Sequence, residues 1–293
     1  MQSRILPVSV IVPTYNRRDL LLRALRSVSR QSVRCEEVVV VDDASTDGSR
    51  ELVESCFDRG ATPAIRWFRL PSNRGPAAAR NFGIRQARCE TIAFLDSDDH
   101  WQPQKLERQA GTMERFPEYL ISHTRERWLR RGHRINQKYR HIPRHGDIFS
   151  HCLELCAVGM STVMVRRGIF AAIGLLDEGM RCCEDYDFWL RVSCRYPFLL
   201  VDEELTIKEG GREDQLSHQH RVGMDRLRIH SLLRLLQSGA LNGEQQRQTL
   251  QQLRQKCEIY GKGCRKHGKE QEGRRYLALA AMISAADDKG WTL

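Results

Sequence analysis

No run of eighteen apolar residues occurs anywhere in this chain of 293 residues, which excludes a bilayer-spanning helix. The first residues, Met1-Gln2-Ser3-Arg4-Ile5, lead straight into a short strand pattern with no signal-peptide core. The expectation is a soluble, cytoplasmic protein. The paired C-x-x-C spacing of a zinc site is also missing, and the ten cysteines are scattered among strand and helix patterns, as reduced and mostly buried thiols would be. Cys152 and Cys156, four apart, could share a helix face as half a metal site, but no second ligand pair lies near them in sequence. Acids are the minority charge: 47 Lys and Arg stand against 37 Asp and Glu, a formal +10. Residues 1–122 hold 18 bases and 16 acids, residues 123–145 hold 8 and 1, and residues 146–293 hold 21 and 20. The excess is therefore one patch on an otherwise balanced chain. Trp128 and Tyr139 interleave its bases, so a polyanion- or nucleic-acid-binding module around 123–145 is the alternative reading, although no DNA- or RNA-binding motif accompanies it.

The N-terminal half alternates short apolar runs with helical spacing, the pattern of an α/β fold with an open, mostly parallel sheet flanked by helices. Val8–Val12, Glu37–Val41, Ile65–Leu70 and Thr91–Leu95 read as strands. Three of them end in polar loops, where an open α/β sheet places its ligands. Helices are expected over Ala77–Ala87, Pro103–Phe116 and Glu184–Tyr196, and a strand over Ser161–Val165. From about residue 222 the spacing is wholly helical, with three amphipathic segments. The expected organisation is 1–100, 101–221 and a helical C-terminal extension over 222–293.

Asp96, Asp98 and Asp99 crowd three carboxylates at one strand end. Such a cluster persists when a divalent cation or strong donors compensate it, and hard oxygen ligands suit Mg²⁺ or Mn²⁺ bridging to phosphates. A solvated turn is the plain alternative. Pro13 and Tyr15 follow the first strand and offer an aromatic face for a nucleobase. Asp43 ends the second and can accept from a ring N–H or a ribose hydroxyl. Arg74, after the third, can reach a diphosphate. Tyr15 as a core aromatic, Asp43 in a helix cap and Asn73-Arg-Gly75 as a simple turn stay open one by one; their convergence on one sheet edge favours a site.

In order, Val8-Ser-Val-Ile-Val-Pro-Thr-Tyr-Asn16, Val41-Asp-Asp-Ala-Ser-Thr-Asp-Gly48, Asn73-Arg-Gly-Pro-Ala-Ala-Ala-Arg-Asn81, Phe94-Leu-Asp-Ser-Asp-Asp99 and Cys183-Glu-Asp-Tyr-Asp-Phe-Trp-Leu-Arg191 resemble the family 2 glycosyltransferases with the GT-A fold, over roughly residues 6–220. The resemblance implies a metal-dependent, inverting transferase. The donor is a nucleoside diphosphate sugar, UDP-type first, and the setting is cell-surface polysaccharide or lipopolysaccharide assembly. By position it places Pro13 and Tyr15 along the base, Asp43 at its edge, Arg74 near base or phosphate, Asp96 with the ribose and Asp98 on Mn²⁺ or Mg²⁺. The share of Asp99 is left open. Asp185 becomes the general base, with Glu184 and Asp187 as helix N-terminal carboxylates in the alternative. Arg212 falls in a loop that closes over the donor in the family, and His218 or His220 is open as a metal ligand or a surface residue. Processive members carry Gln-x-x-Arg-Trp; Arg125-Glu-Arg-Trp128 lacks the Gln, so one sugar per event is expected. Related nucleotidyltransferases need a Gly-rich first loop, and Val12-Pro-Thr-Tyr-Asn16 has none. The acceptor is a glycan or lipid-linked hydroxyl; the basic segment suggests an anionic one, with a solvated loop equally open. Peripheral contact with the inner membrane face and a homodimer through the helical tail stay open, and nucleic acid is not an expected partner.

Overall fold

The computed structural model describes residues 4–57, 63–219 and 223–287. The N-terminal half contains β1 (Ile5–Thr14), α1 (Arg18–Ser29), β2 (Arg34–Asp42), α2 (Ser49–Cys56), β3 (Ala64–Arg69), α3 (Pro76–Gln86) and β4 (Thr91–Phe94). After it come β5 (His100–Trp101), α4 (Lys105–Arg115), β6 (Ile121–Arg130), β7 (His133–Ile135), α5 (Phe149–Glu154), β8 (Met164–Arg166), α6 (Gly168–Ile173), α7 (Glu184–Ser193) and β9 (Leu199–Gly210). Four helices follow: α8 (Leu216–Gln219), α9 (Met224–Gln237), α10 (Gly243–Lys266) and α11 (Glu270–Asp287).

The sheet runs β3-β2-β1-β4-β8-β6-β9-β5, with β7 on the side of β6. β3, β2, β1 and β4 are parallel, and so are β6 and β9; β8 is antiparallel to both β4 and β6. Successive residues of the central strands point to opposite faces, and both faces are covered. Val10, Val12, Val38 and Val40 pack with Leu21 and Leu25 of α1, while Ile11, Val39 and Val41 pack with the alanines of α3 and with the helices beyond. Burial on both sides is why these strands are nearly continuous apolar runs, with buried Ser9 of β1 donating to Glu37 at 2.6 Å.

The expected parallel strands are all present, with β1 and β2 each starting three residues before the expected position and the other ends within two. Three segments differ. Ser161 lies in a short 3₁₀ turn (Met160–Thr162), and β8 begins only at Met164. The basic segment, without clear periodicity in sequence, is the long strand β6, the β6–β7 hairpin and a 3₁₀ turn at Tyr139–His141. β9, twelve residues long, has no counterpart among the expected strands.

The C-terminal helices pack onto the α/β unit. Ile229, Leu232, Leu250, Leu253 and Ile283 share one core with Trp189 and Phe188 of α7 and Phe149 of α5. Asn242 and Gln245 form a reciprocal capping box at the start of α10. Gly261 and Gly273 let α10 and α11 touch: a Cβ on Gly261 would lie 2.8 Å from Leu277 Cγ and 3.0 Å from the Gly273 carbonyl oxygen.

Candidate active site

The parallel strands deliver their polar loops to one edge, and hydrogen bonds sew those loops together. Asn16, at φ +49, donates its backbone N–H to Ser45 Oγ (2.9 Å) and accepts from the Thr46 N–H at Oδ1 (2.8 Å). Pro13 is buried in β1, and Tyr15 is 44% exposed, so it is no core aromatic. Buried Asp43 accepts from the backbone N–H groups of Arg74 and Gly75, one on each oxygen, both at 2.8 Å. Burial pushes this carboxyl up and the two N–H groups offset it. Asp43 thus holds the loop that carries Arg74. The Arg74 guanidinium itself lies at the rim, 2.6 Å from Glu178.

The three carboxylates after β4 take separate positions. Asp99 is buried and accepts from Ser161 Oγ at 2.7 Å; burial and the neighbouring Asp98 charge hold its carboxyl well above the usual range. Ser161 Oγ also accepts from the Asp96 N–H, which explains the break of β8 into a turn at this point. Asp98 pairs with Arg212 at 2.6 Å, and Asp96 pairs with Arg80 at 2.6 Å.

Arg80 is the residue that sequence reasoning missed. It is 5% exposed on α3 and donates one terminal nitrogen to Asp96 and the other to Glu184 Oε1, both at 2.6 Å, while its Nε has no partner. Its signal was a lone Arg-Asn pair after Ala77-Ala-Ala on a helix whose neighbours are all buried. Through it, the acidic turn after β4 is tied to the start of α7.

At that start, Cys183 adopts the left-handed conformation (φ +62), uncommon for a residue with a Cβ. Burial, then the adjacent Asp185 charge, push the Glu184 carboxyl up to about 7, against the pull of Arg80. Asp187 is buried and bonded to Arg191 at 2.9 Å. Among the described residues no cation lies within ion-pair distance of Asp185, which accepts from the Tyr186 N–H (2.7 Å). The first turn of α7 therefore separates two carboxylates with structural partners from one without. Beside Asp185, burial and its charge keep the Cys156 thiol protonated.

Lys208 of β9 adds a cation that the sequence reading also missed. Its Nζ is 3.8 Å from Glu126, whose charge, followed by those of Asp99 and Asp96, favours the ammonium form. Beyond β9, Arg212 reaches Asp98 and Asp214, and Arg17 pairs with Asp214, so the loop after β9 closes onto the loop after β1. His218 is exposed on α8, and His220 lies outside the described residues.

A divalent ion fits the donor set only with help. Among the described residues no three His, Cys, Asp or Glu side chains are grouped to hold a metal, and Cys152 and Cys156 belong to no such group. Asp96 and Asp98 supply hard carboxylate oxygens, and Mg²⁺ commonly binds through one or two carboxylates plus substrate phosphates.

The family model described as Glycosyl transferase family 2 matches residues 9–174. A glycosyltransferase of Rickettsia conorii is 35% identical over 205 residues, covering 68% of this chain and 32% of the relative. The chain thus spans about a third of the length of the relatives it matches in Rickettsia conorii and Rickettsia felis. The putative teichuronic acid biosynthesis glycosyltransferase TuaG of Bacillus subtilis is 34% identical over 184 residues, 62% of this chain and 70% of that one. Among solved structures, S. aureus TarS 1-349 in complex with UDP-GlcNAc superimposes with a TM-score of 0.69 at 21% identity, over 93% of this chain and 79% of that one. The mannosyltransferase PcManGT of Pyrobaculum calidifontis, in complex with GDP-Man and Mn²⁺, gives 0.65 at 18% identity, over 98% and 76%.

Proposed function

This chain belongs to glycosyl transferase family 2, and on that premise we propose that it moves one sugar from a nucleoside diphosphate sugar to an acceptor hydroxyl, with inversion, in the assembly of a cell-surface polysaccharide. The observation that carries the reading is the Arg80 bridge, in which one guanidinium joins Asp96, after β4, to Glu184, next to Asp185 at the start of α7. Relatives named for teichuronic acid and succinoglycan biosynthesis support the setting. The folds seen with UDP-GlcNAc and GDP-Man support a nucleotide-sugar donor.

In this reading Tyr15 stacks on the base, with Pro13 beneath it as the floor. Asp43, already bonded to the Arg74–Gly75 backbone, uses its remaining lone pairs on the base edge. Asp96 orients the ribose. Arg74 moves from Glu178 toward the diphosphate. Asp98, with Asp96 beside it, would hold Mg²⁺ or Mn²⁺, and such an ion supplies neutralisation of the charge that develops on the leaving diphosphate. Arg212 and Lys208 add fixed positive charge around the same oxygens. Asp185, free of a cation partner, takes the acceptor proton as the hydroxyl oxygen bonds to the anomeric carbon. The bond from that carbon to the diphosphate breaks, and the electron pair leaves with the phosphate oxygen.

The test joins binding and turnover. Thermal shifts are measured with UDP, GDP, dTDP and CDP, each with and without Mn²⁺, on the wild type and on Asp185→Asn. One nucleotide should stabilise both proteins, more so with Mn²⁺, while transfer falls by about 10²–10⁴ in the variant. Stabilisation by none of the four would remove the donor site, and near-normal turnover in Asp185→Asn would remove the base.

A further inference from the structure

The positive patch of residues 123–145 is only partly a solvated surface, because β9 compensates some of it across the sheet. Arg125 pairs with Asp202 at 3.5 Å, and Arg127 and Arg134 both pair with Glu204, at 3.1 and 2.7 Å. Among the described residues Arg130, Arg131, Lys138, Arg140 and Arg144 have no carboxylate within ion-pair distance. All five are exposed; Arg130, Arg131, Lys138 and Arg140 lie on the end of β6, the hairpin loop and the turn behind it, while the Arg144 carbonyl lies 2.8 Å from His123 Nε2 near the start of β6. The same segment carries two exposed apolar side chains. Tyr139 is 84% exposed, the most of any large hydrophobic residue described, and Ile135 is 40% exposed.

That exposure is held in place by bonds on several sides. The Ile142 N–H donates to the Tyr139 carbonyl (3.1 Å), the Arg140 carbonyl lies 2.7 Å from His151 Nε2, and Gln137 Nε2 donates to the Glu126 carbonyl (3.1 Å). A ring presented this way, between the unpaired cations Lys138 and Arg140, matches a surface that is negative at its face and apolar just beneath. Tyrosine sits at that boundary in bilayers, and clustered Lys and Arg draw toward anionic headgroups. A nucleic acid fits less well, because stacking needs a second free aromatic. Trp128 is half-buried, donates its indole N–H to Glu126 (2.6 Å) and packs on His141 at 5.1 Å between ring centroids.

We propose that the β6–β7 hairpin and the Tyr139–His141 turn dock this chain on an anionic lipid bilayer. The last residue of β6, Arg130, pairs with Gly210, where the Arg212 loop begins, so docking sets that side of the cleft at the membrane surface. The inference does not depend on the transfer reading, and its test uses no sugar donor. The full chain is sedimented with phosphatidylcholine vesicles and with vesicles of phosphatidylcholine and phosphatidylglycerol. Binding is expected only with phosphatidylglycerol, and it should weaken as salt screens the headgroups. Each base replaced by Gln should lower the partition coefficient about fivefold, so Arg131→Gln, Lys138→Gln and Arg140→Gln together lower it about a hundredfold. Tyr139→Ser should reduce the binding that survives high salt. Equal binding to both vesicles, full binding by the triple variant with its melting temperature unchanged, or preferential capture of single-stranded RNA would each overturn the proposal.

Discussion

Replacing Arg80 with Met tests how the two halves of the cleft are joined. The substitution keeps an apolar stem of similar length and removes the only cation within ion-pair distance of Glu184 among the described residues. Removing one partner of a buried ion pair costs about 3–5 kcal/mol, because it leaves a charge uncompensated. Glu184 has an escape, since its carboxyl already sits at about 7 with Arg80 in place. Its folded value is raised above the ordinary 4.5. The stability that this group contributes is therefore complete below the unfolded value and is lost as pH rises through about 7. Above that pH the wild-type carboxylate ionises against Arg80, and its contribution no longer changes. In Arg80→Met the carboxyl stays protonated in the folded state while the unfolded chain ionises. Stability then falls by about 1.4 kcal/mol per pH unit until the variant's own higher value is reached. Urea-unfolding midpoints of both proteins at pH 6, 7, 8 and 9, converted with a common m-value, read the difference directly. The gap should be smallest at pH 6, where both carboxyls are protonated and only the partly exposed Asp96 has lost its partner, and should widen above 7. A gap of constant size across this range would refute the account of Glu184 as a carboxylate kept ionised by Arg80.

Two further substitutions separate binding from packing. Tyr15→Ala should weaken the stabilising nucleotide by about 1–3 kcal/mol, the worth of one stacked base, with little change in the melting temperature of the free protein, because the ring is nearly half exposed; calorimetric titration checks the first and thermal unfolding the second. Gly261→Ala should destabilise by about 1–3 kcal/mol through overpacking. The added Cβ meets Leu277 and the Gly273 carbonyl across the α10–α11 contact, and thermal unfolding with unchanged nucleotide affinity would place the effect in the helical extension.

What sequence could show follows from how local each signal is. β1, β2 and β4 are legible because a strand covered on both faces is a nearly continuous apolar run, and its end is marked by the change to polar residues. β9 is illegible for the opposite reason. Its stretch Asp202-Glu-Glu204 looks like a loop until Arg125, Arg127 and Arg134 come alongside to pair with two of those acids. The count of bases and acids along the segment shows the size of the basic patch but not its free part, since the compensating charges lie on a strand 70 to 77 residues further along the chain. Arg80 escaped in the same way. A lone arginine in an alanine-rich helix reads as a solvated cation, and only the arrival of Glu184 on α7 makes its burial affordable. Asp185 could be singled out by motif, yet the physical ground for preferring it came from its neighbours, because Glu184 and Asp187 hold cations and it holds none. For Asp185 and for the hairpin bases, then, the charge to which a role is proposed is the charge left over after distant strands and helices have paired its neighbours. That remainder exists only in three dimensions, so it is where variant data on Arg80 and on the hairpin carry information that the order of residues does not.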